Sequence, residues 1–184
     1  FRANLFSEIS AALPEFQGIF APVQPGVSPK GDISENISFG LGIFIKNKLK
    51  FQNNGDFFII GDQHSYVKGK ENTLPFKMQY IQLHVEDKLL TICNVHGTAW
   101  PTTKLDSAER LEQSQKILNF VQGQPGEKII TGDFNLFPQT QSITMFEQNG
   151  FGNLIKGFNI STTRGSLIKN SIPNISRLDA LSKN

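Results

Sequence analysis

The chain opens on a helical pattern. In FRANLFSEISAAL, Leu5, Ile9, Ala12 and Leu13 recur near the 3.6-residue period, and Pro14 stops the run. FQGIFAPV then reads as a short strand. Residues 24–36, QPGVSPKGDISEN, mix proline, glycine and serine with no period and predict a surface loop. FGLGIFIKN reads as a buried strand, and DFFIIG, after Asn53, Asn54 and Gly55, as another. FKMQYIQLHVEDKLLTICNVH predicts a β-hairpin. Met78, Tyr80 and Gln82 alternate with Gln79, Ile81 and Leu83, and Glu86-Asp87-Lys88 supplies the turn.

GTAWPTTK, residues 97–104, reads as a loop. The clearest helix follows, from Asp106 to Val121. Asp106 is its expected cap, with Glu109 three residues on in a capping-box arrangement. Ala108, Leu111, Ile117, Leu118 and Val121 form its expected apolar face. GQPG ends it. EKIITGDFN then reads as a buried strand, and TQSITMFEQNG as a short helix closed by Gly150. IPNISRLDALSKN begins like a strand. There is no internal repeat and no dividing linker, so residues 1–184 are expected to form a single domain. Helices alternate with strands late in the chain and a hairpin sits in the middle, which favours a layered α/β or α+β domain with mixed sheets.

Composition narrows the classes. With 38% hydrophobic and 18% charged residues, the 184-residue chain is globular rather than disordered. A net charge of +2 is too small to argue for a polyanion partner by itself. Lys46, Lys48 and Lys50 group loosely, as a solvated strand end would. Cys93 is the only cysteine, which excludes an internal disulfide and a cysteine metal cluster; in LLTICNVH it reads as a packed, inert thiol. No run approaches the roughly 18 apolar residues of a membrane span, and no signal-peptide pattern is present. A cytoplasmic monomer is expected. Because the chain starts at Phe1, the beginning of the natural protein is expected to lie outside it.

Three segments share a polar-apolar-polar ending. Residues i and i+2 of a strand lie on one face. That pairs Asp133 with Asn135 around Phe134, Asn94 with His96 around Val95, and Arg177 with Asp179 around Leu178. Ligand sites in layered α/β proteins gather at such strand ends. Each residue also has a plain structural use, as a partly buried histidine, an Asx turn or a surface ion pair. Taken together, His96, Asp133, Asn135 and Asp179 suit phosphate-ester hydrolysis. An aspartate can align and deprotonate water, a carboxamide and an imidazole can donate to phosphoryl oxygens, and a hard cation can neutralise charge. Gly132 supports this set, since a glycine before the acid admits a ligand or another backbone.

ITGDFN, preceded by ICNVHG and a helix containing ERLEQSQKI and followed by SRLD, resembles the endonuclease/exonuclease/phosphatase superfamily. Its members include deoxyribonuclease-like nucleases, abasic-site endonucleases, neutral sphingomyelinases and inositol polyphosphate 5-phosphatases. The resemblance implies an α/β fold of the deoxyribonuclease I type: a four-layer αββα sandwich with two mixed sheets, here incomplete at both ends. It implies that Asp133 activates water or protonates the leaving group, that Asn135 binds phosphate and aligns Asp133, that His96 binds a phosphoryl oxygen, and that Asp179 orients a catalytic histidine. Asn94, Trp100 and Arg164 are the candidate substrate contacts; Arg164 closes a Thr-Thr-Arg loop that fits the family, and Trp100 offers a ring for stacking or for packing on its own domain.

The resemblance further implies Mg²⁺, with Mn²⁺ as the substitute. The main carboxylate ligand of that metal does not lie in this chain, where Asp133 is the candidate present. The glutamate that family members place on an early strand precedes Phe1, and the closing Ser-Asp-His motif is absent after RLDALSKN. His64, in a polar loop, and His84, in the hairpin, are poor substitutes for its histidine. The implied function is a metal-dependent phosphoesterase acting by in-line attack of water, active as the full-length protein. Nucleic acid ranks slightly ahead of lipid or a small phosphodiester as substrate. The alternative is a non-catalytic member of the fold serving as a binding module.

Overall fold

The computed structural model of the protein describes residues 4–24, 38–67, 70–160 and 163. Helix α1 (Leu5–Ala12) is capped by Asn4, whose side chain accepts the Ser7 N–H at 3.1 Å. It rests on an antiparallel pair, β1 (Phe16–Gln24) and β2 (Phe39–Lys46). The contact is aromatic: the Phe6 ring lies 5.4 Å from Phe20 and 5.1 Å from Phe44. A second sheet runs in the order β3 (Phe51–Ile60), β4 (Phe76–Val85), β5 (Lys88–His96), β6 (Glu127–Asp133). Its first two pairings are antiparallel and the β5–β6 pairing is parallel. Helices α2 (Ala108–Gln122) and α3 (Gln141–Gln148) cover its outer face, and the single turn α4 (Leu154–Gly157) follows. From one side to the other the layers are helix, sheet, sheet, helix, the αββα sandwich that the motifs imply. Among the described residues no helix is long and apolar enough to cross a membrane.

Two apolar clusters hold the layers. Ile59, Phe76, Met78, Cys93 and Val95 meet Ile117, Leu118, Val121 and Phe146 on the helix side of the larger sheet. Ile45, Ile81 and Leu83, with Ile19, Ile43, Phe51 and Ile92, fill the space between the sheets. Each aliphatic side chain buried this way contributes roughly 1.5–3 kcal/mol. The alternation expected along β4 is present: even-numbered Phe76 and Met78 face the helices, and odd-numbered Ile81 and Leu83 face the other sheet. β4 and β5 form the expected hairpin through a two-residue turn, Glu86 and Asp87, while Lys88, expected in the turn, opens β5 and pairs with Val85. Cys93 is fully buried, and burial pushes its thiol up to about 12, so it is inert at neutral pH. Lys46, Lys48 and Lys50 are exposed around the turn after β2.

Several expectations need correction. β3 begins at Phe51, so Asn53, Asn54 and Gly55 belong to the strand, which takes them in after one register shift against β4, between Phe51 and Asn53. β6 is not a buried strand. It is the last strand of the described sheet, none of its residues is fully buried, and Ile129 is 47% exposed. Helix α2 starts at Ala108 and its cap is Ser107, whose hydroxyl accepts the Arg110 N–H at 3.3 Å. Asp106 caps a different helix: its carboxylate accepts the N–H groups of Gln141 at 2.8 Å and Ser142 at 2.9 Å, at the start of α3. Nor is the inner face of α2 wholly apolar. Ala108 is exposed, while Arg110, Gln113 and Ser114 are buried beside Ile117, Leu118 and Val121.

Candidate active site

The parallel pairing of β5 and β6 builds the site. Cys93 and Val95 face the helices and Ile92 faces the other sheet, so alternation puts Asn94 and His96 on the inter-sheet side. In the parallel register His96 stands opposite Asp133 and Asn94 opposite Thr131. The two strands end together, which brings an imidazole and a carboxylate side by side at one edge of the sheet. Gly132 makes the approach close enough. Its φ is +123°, and a Cβ built on it would lie 2.0 Å from the Val95 carbonyl oxygen. The backbone that glycine admits at this point is therefore that of the neighbouring strand. Just beyond, the Gly97 N–H donates to the Asp133 carbonyl at 2.7 Å.

Asn135 joins them, though not by strand alternation. The strand stops at Asp133, and Asn135 takes a left-handed conformation with φ +55°, which asparagine tolerates better than most residues. Its N–H donates to Asp133 Oδ1 at 2.8 Å, closing a small turn that points the carboxylate. Its Nδ2 donates to the Gly97 carbonyl at 2.8 Å, and its Oδ1 accepts from Lys104 Nζ. Phe134, between them, packs into the core with its ring 5.9 Å from Phe146.

His96 is half-buried, with its ring edge-on to Phe76 at 5.3 Å. Burial lowers its pKa below the ordinary value. The Asp133 charge pulls it back up, and the Lys104 charge pushes it down again. The net direction favours a neutral imidazole at neutral pH, with one N–H to donate and one lone pair to accept.

The remaining candidates fall in different places. Asn94 is half-buried and reaches the other sheet, its Nδ2 donating to the Gly42 carbonyl at 3.4 Å. Trp100 is half-buried in the loop after β5, where its N–H donates to Thr98 Oγ1 at 3.2 Å. Arg164 and Asp179 lie outside the described residues. His64 and His84 are exposed and belong to neither strand end of the site.

The pattern along the chain missed the residues that hold this loop. Arg110, with no exposed surface, donates from Nη1 to the Leu105 carbonyl at 2.6 Å and from Nη2 to the carbonyls of Thr98, at 3.5 Å, and Pro101. Gln113 accepts the Thr98 N–H at 2.8 Å. The Lys104 carbonyl accepts the Phe137 N–H at 3.0 Å. A signal was present: Arg110 and Ser114 continue the helical stripe of Ile117 and Val121 at four- and three-residue steps, where an apolar residue would be routine.

The donor set at the strand ends falls short of what the implied cation needs. Mg²⁺ prefers several oxygen ligands, usually including carboxylates. Asp133 supplies one carboxylate, and its Oδ1 already accepts the Asn135 N–H. Among the described residues no group of three His, Cys, Asp or Glu side chains is placed to hold a metal ion. The described residues alone do not make a complete Mg²⁺ site.

No protein-family model matches the chain, and no curated protein sequence matches it. Solved structures do. An endonuclease/exonuclease/phosphatase from Bacteroides vulgatus superimposes with a TM-score of 0.60 at 18% identity, over 80% of this chain and 54% of that one. A family protein from Bacteroides thetaiotaomicron gives 0.55 at 21% identity, over 79% and 49%. A mannosyl-6-phosphatase from Bacteroides thetaiotaomicron gives 0.56 at 20% identity, over 79% and 52%. The chain thus spans about half the length of the structures it matches, and within that span its fold is that of the endonuclease/exonuclease/phosphatase proteins.

Proposed function

We propose that the protein is a phosphoric-ester hydrolase, and that residues 1–184 are the central part of one such domain. The observation that carries this reading is the register of β5 and β6. It sets a half-buried imidazole beside an exposed carboxylate and turns a constrained carboxamide toward the same edge. Asp133 aligns the attacking water and accepts its proton. The Nδ2 of Asn135 and the N–H of neutral His96 donate to phosphoryl oxygens as charge builds on them. One such donor, held in place before the reaction, is worth roughly 3–4 kcal/mol of barrier. A divalent cation, Mg²⁺ or Mn²⁺, would add charge neutralisation, with its principal carboxylate and the Asp179 contribution coming from outside the described residues.

The substrate reading shifts with the geometry. Nucleic acid led on sequence grounds, but among the described residues the basic side chain that meets the site residues is Lys104, and a mannosyl-6-phosphatase shares the fold. Both favour a compact phosphomonoester over a long polyanion. The test is hydrolysis by the protein expressed from its whole reading frame, with Mg²⁺ and then Mn²⁺. The substrates are sugar phosphates, p-nitrophenyl phosphate, bis-p-nitrophenyl phosphate, plasmid DNA and sphingomyelin. Turnover of the monoesters, cut at least about 100-fold by Asp133→Ala, is expected. Turnover of DNA in preference would reverse the substrate ranking. No hydrolysis across the panel, or an indifferent Asp133→Ala, would remove the hydrolase reading and leave the binding module.

A further inference from the structure

We propose that Lys104 is a positioning residue for phosphoryl recognition: it fixes the orientation of the Asn135 carboxamide and brings a permanent positive charge to the anion site. This deepens the hydrolase reading and rests on it. A carboxamide can present either its oxygen or its nitrogen to a ligand, and only the nitrogen attracts a phosphoryl oxygen. Here both ends are committed. The Lys104 ammonium takes Oδ1, and the Gly97 carbonyl takes one Nδ2 hydrogen at 2.8 Å. Among the described residues nothing takes the second Nδ2 hydrogen, which a ligand can use. An ammonium has only donors, so Asn135 cannot flip without setting its NH₂ group against a cation.

The backbone around Lys104 is built to hold that position. Lys104 has φ +60°, a left-handed conformation uncommon for a residue with a side chain. The Phe137 N–H, from the segment after Asn135, donates to its carbonyl. Arg110 fastens the carbonyls on either side of it in the loop, at Pro101 and Leu105. The charge is also near enough to matter at the site, because it acts on His96 together with Asp133. A phosphate dianion arriving beside the Asp133 carboxylate meets like charge, and the ammonium offsets it. Lysine suits this use as a compact cation.

A plain loop staple would use the same hydrogen bond, so the test must separate the two. In the whole protein, Lys104→Met keeps the length and loses the charge, and Lys104→Arg restores the charge. Two quantities are read: KM against kcat on the ester the wild type turns over, and inorganic phosphate affinity from the Asn135 side-chain amide signals by ¹⁵N NMR. Lys104→Met should weaken phosphate binding and raise KM by about tenfold or more, with a smaller loss in kcat, and Lys104→Arg should recover most of it. Unchanged KM and phosphate affinity in Lys104→Met would overturn the proposal while leaving the hydrolase reading intact. So would a loss of thermal stability alone. A protein that binds phosphate through Lys104 yet hydrolyses no ester overturns the hydrolase reading instead. One that neither binds nor hydrolyses overturns both.

Discussion

Replacing Gly132 by alanine tests whether the site depends on how closely two strands approach. The added Cβ would sit 2.0 Å from the Val95 carbonyl oxygen, 2.7 Å from its nitrogen and 2.9 Å from its carbonyl carbon. Those are backbone atoms of a central strand, with no flexible end to swing aside. β5 and β6 would have to part by roughly 1 Å, which costs about 1–3 kcal/mol as overpacking. The φ of +123° adds about 1–3 kcal/mol of strain for any residue with a Cβ. The sum is roughly 2–6 kcal/mol, a large share of the 5–15 kcal/mol that holds a typical domain. Gly150 is the control. Its φ is +87°, but nothing lies within 4 Å of its built Cβ, so Gly150→Ala carries only the backbone term, about 1–2 kcal/mol. Urea unfolding followed by far-ultraviolet circular dichroism separates the two. With a slope near 2 kcal/mol/M, Gly132→Ala should lower the midpoint by about 1–3 M and Gly150→Ala by about 0.5–1 M. Amide shifts at His96 and Asn135 should change in the first variant and not in the second. Equal midpoints, with the His96 and Asn135 signals unmoved in both variants, would refute the claim that close β5–β6 contact builds the site.

Three further outcomes follow from named contacts. Arg110→Met, close in length but without donors, should cost about 3 kcal/mol and remove hydrogen-exchange protection at Thr98 and Phe137; retained protection there would mean the loop does not need the guanidinium. At Asp106, burial raises the carboxyl pKa, but the hydrogen bonds from Ser142 and Gln141 outweigh it and the net shift is downward. Its stabilising contribution is therefore complete above the unfolded value near 4 and is lost as pH falls through the lower folded value, so Asp106→Ala should flatten acid unfolding below about pH 4. His96 should titrate below its ordinary value by NMR, chiefly from burial, so its contribution to stability is full above about pH 6.5 and shrinks as pH falls. Asp133→Asn should lower its midpoint further and Lys104→Met should raise it; movement in the opposite directions would contradict the charge arrangement at the strand ends.

Regular elements were legible because each announces itself over several residues. The Met78 to Leu83 alternation and the Glu86–Asp87 turn name a hairpin with both faces covered, and the structure has it. What the pattern hides is a partner remote in the chain. Asp106 before a helix reads as a cap, and it is one, but for the helix starting 35 residues later. The choice between Ser107 and Asp106 depends on where α3 docks, which no local window contains. Arg110 and Gln113 look like solvent-facing positions because charge and amide usually face water, yet the carbonyls of residues 98–105 turn inward and need donors. Lys104 is the last residue of the GTAWPTTK loop, with nothing local to mark it. Its φ of +60° and its contact with Asn135 arise from the fold of the segment after β6. The Asp133–Asn135 pairing was anticipated for an incomplete reason, since a left-handed turn rather than strand alternation brings the two together.

The same distinction explains why the site depends on the direction of one strand. β6 has seven residues, which at about 3.3 Å each is roughly 20 Å of strand. Were β6 antiparallel to β5, its Gly-Asp ending would lie that far from His96, beside Leu90, where β5 begins. Parallel pairing requires a crossover long enough to return the chain to the starting edge, and the loop of residues 97–106 together with α2 is that crossover. Its donors and cations therefore have two duties. Ile117, Leu118 and Val121 bury α2 against the sheet, while Arg110 and Gln113 tie the crossover's first residues to α2 and Lys104 ties its loop to Asn135, just past the end of β6. An apolar replacement at Arg110 would satisfy the first duty and fail the second, leaving the layers intact and the carboxamide of Asn135 without a fixed direction.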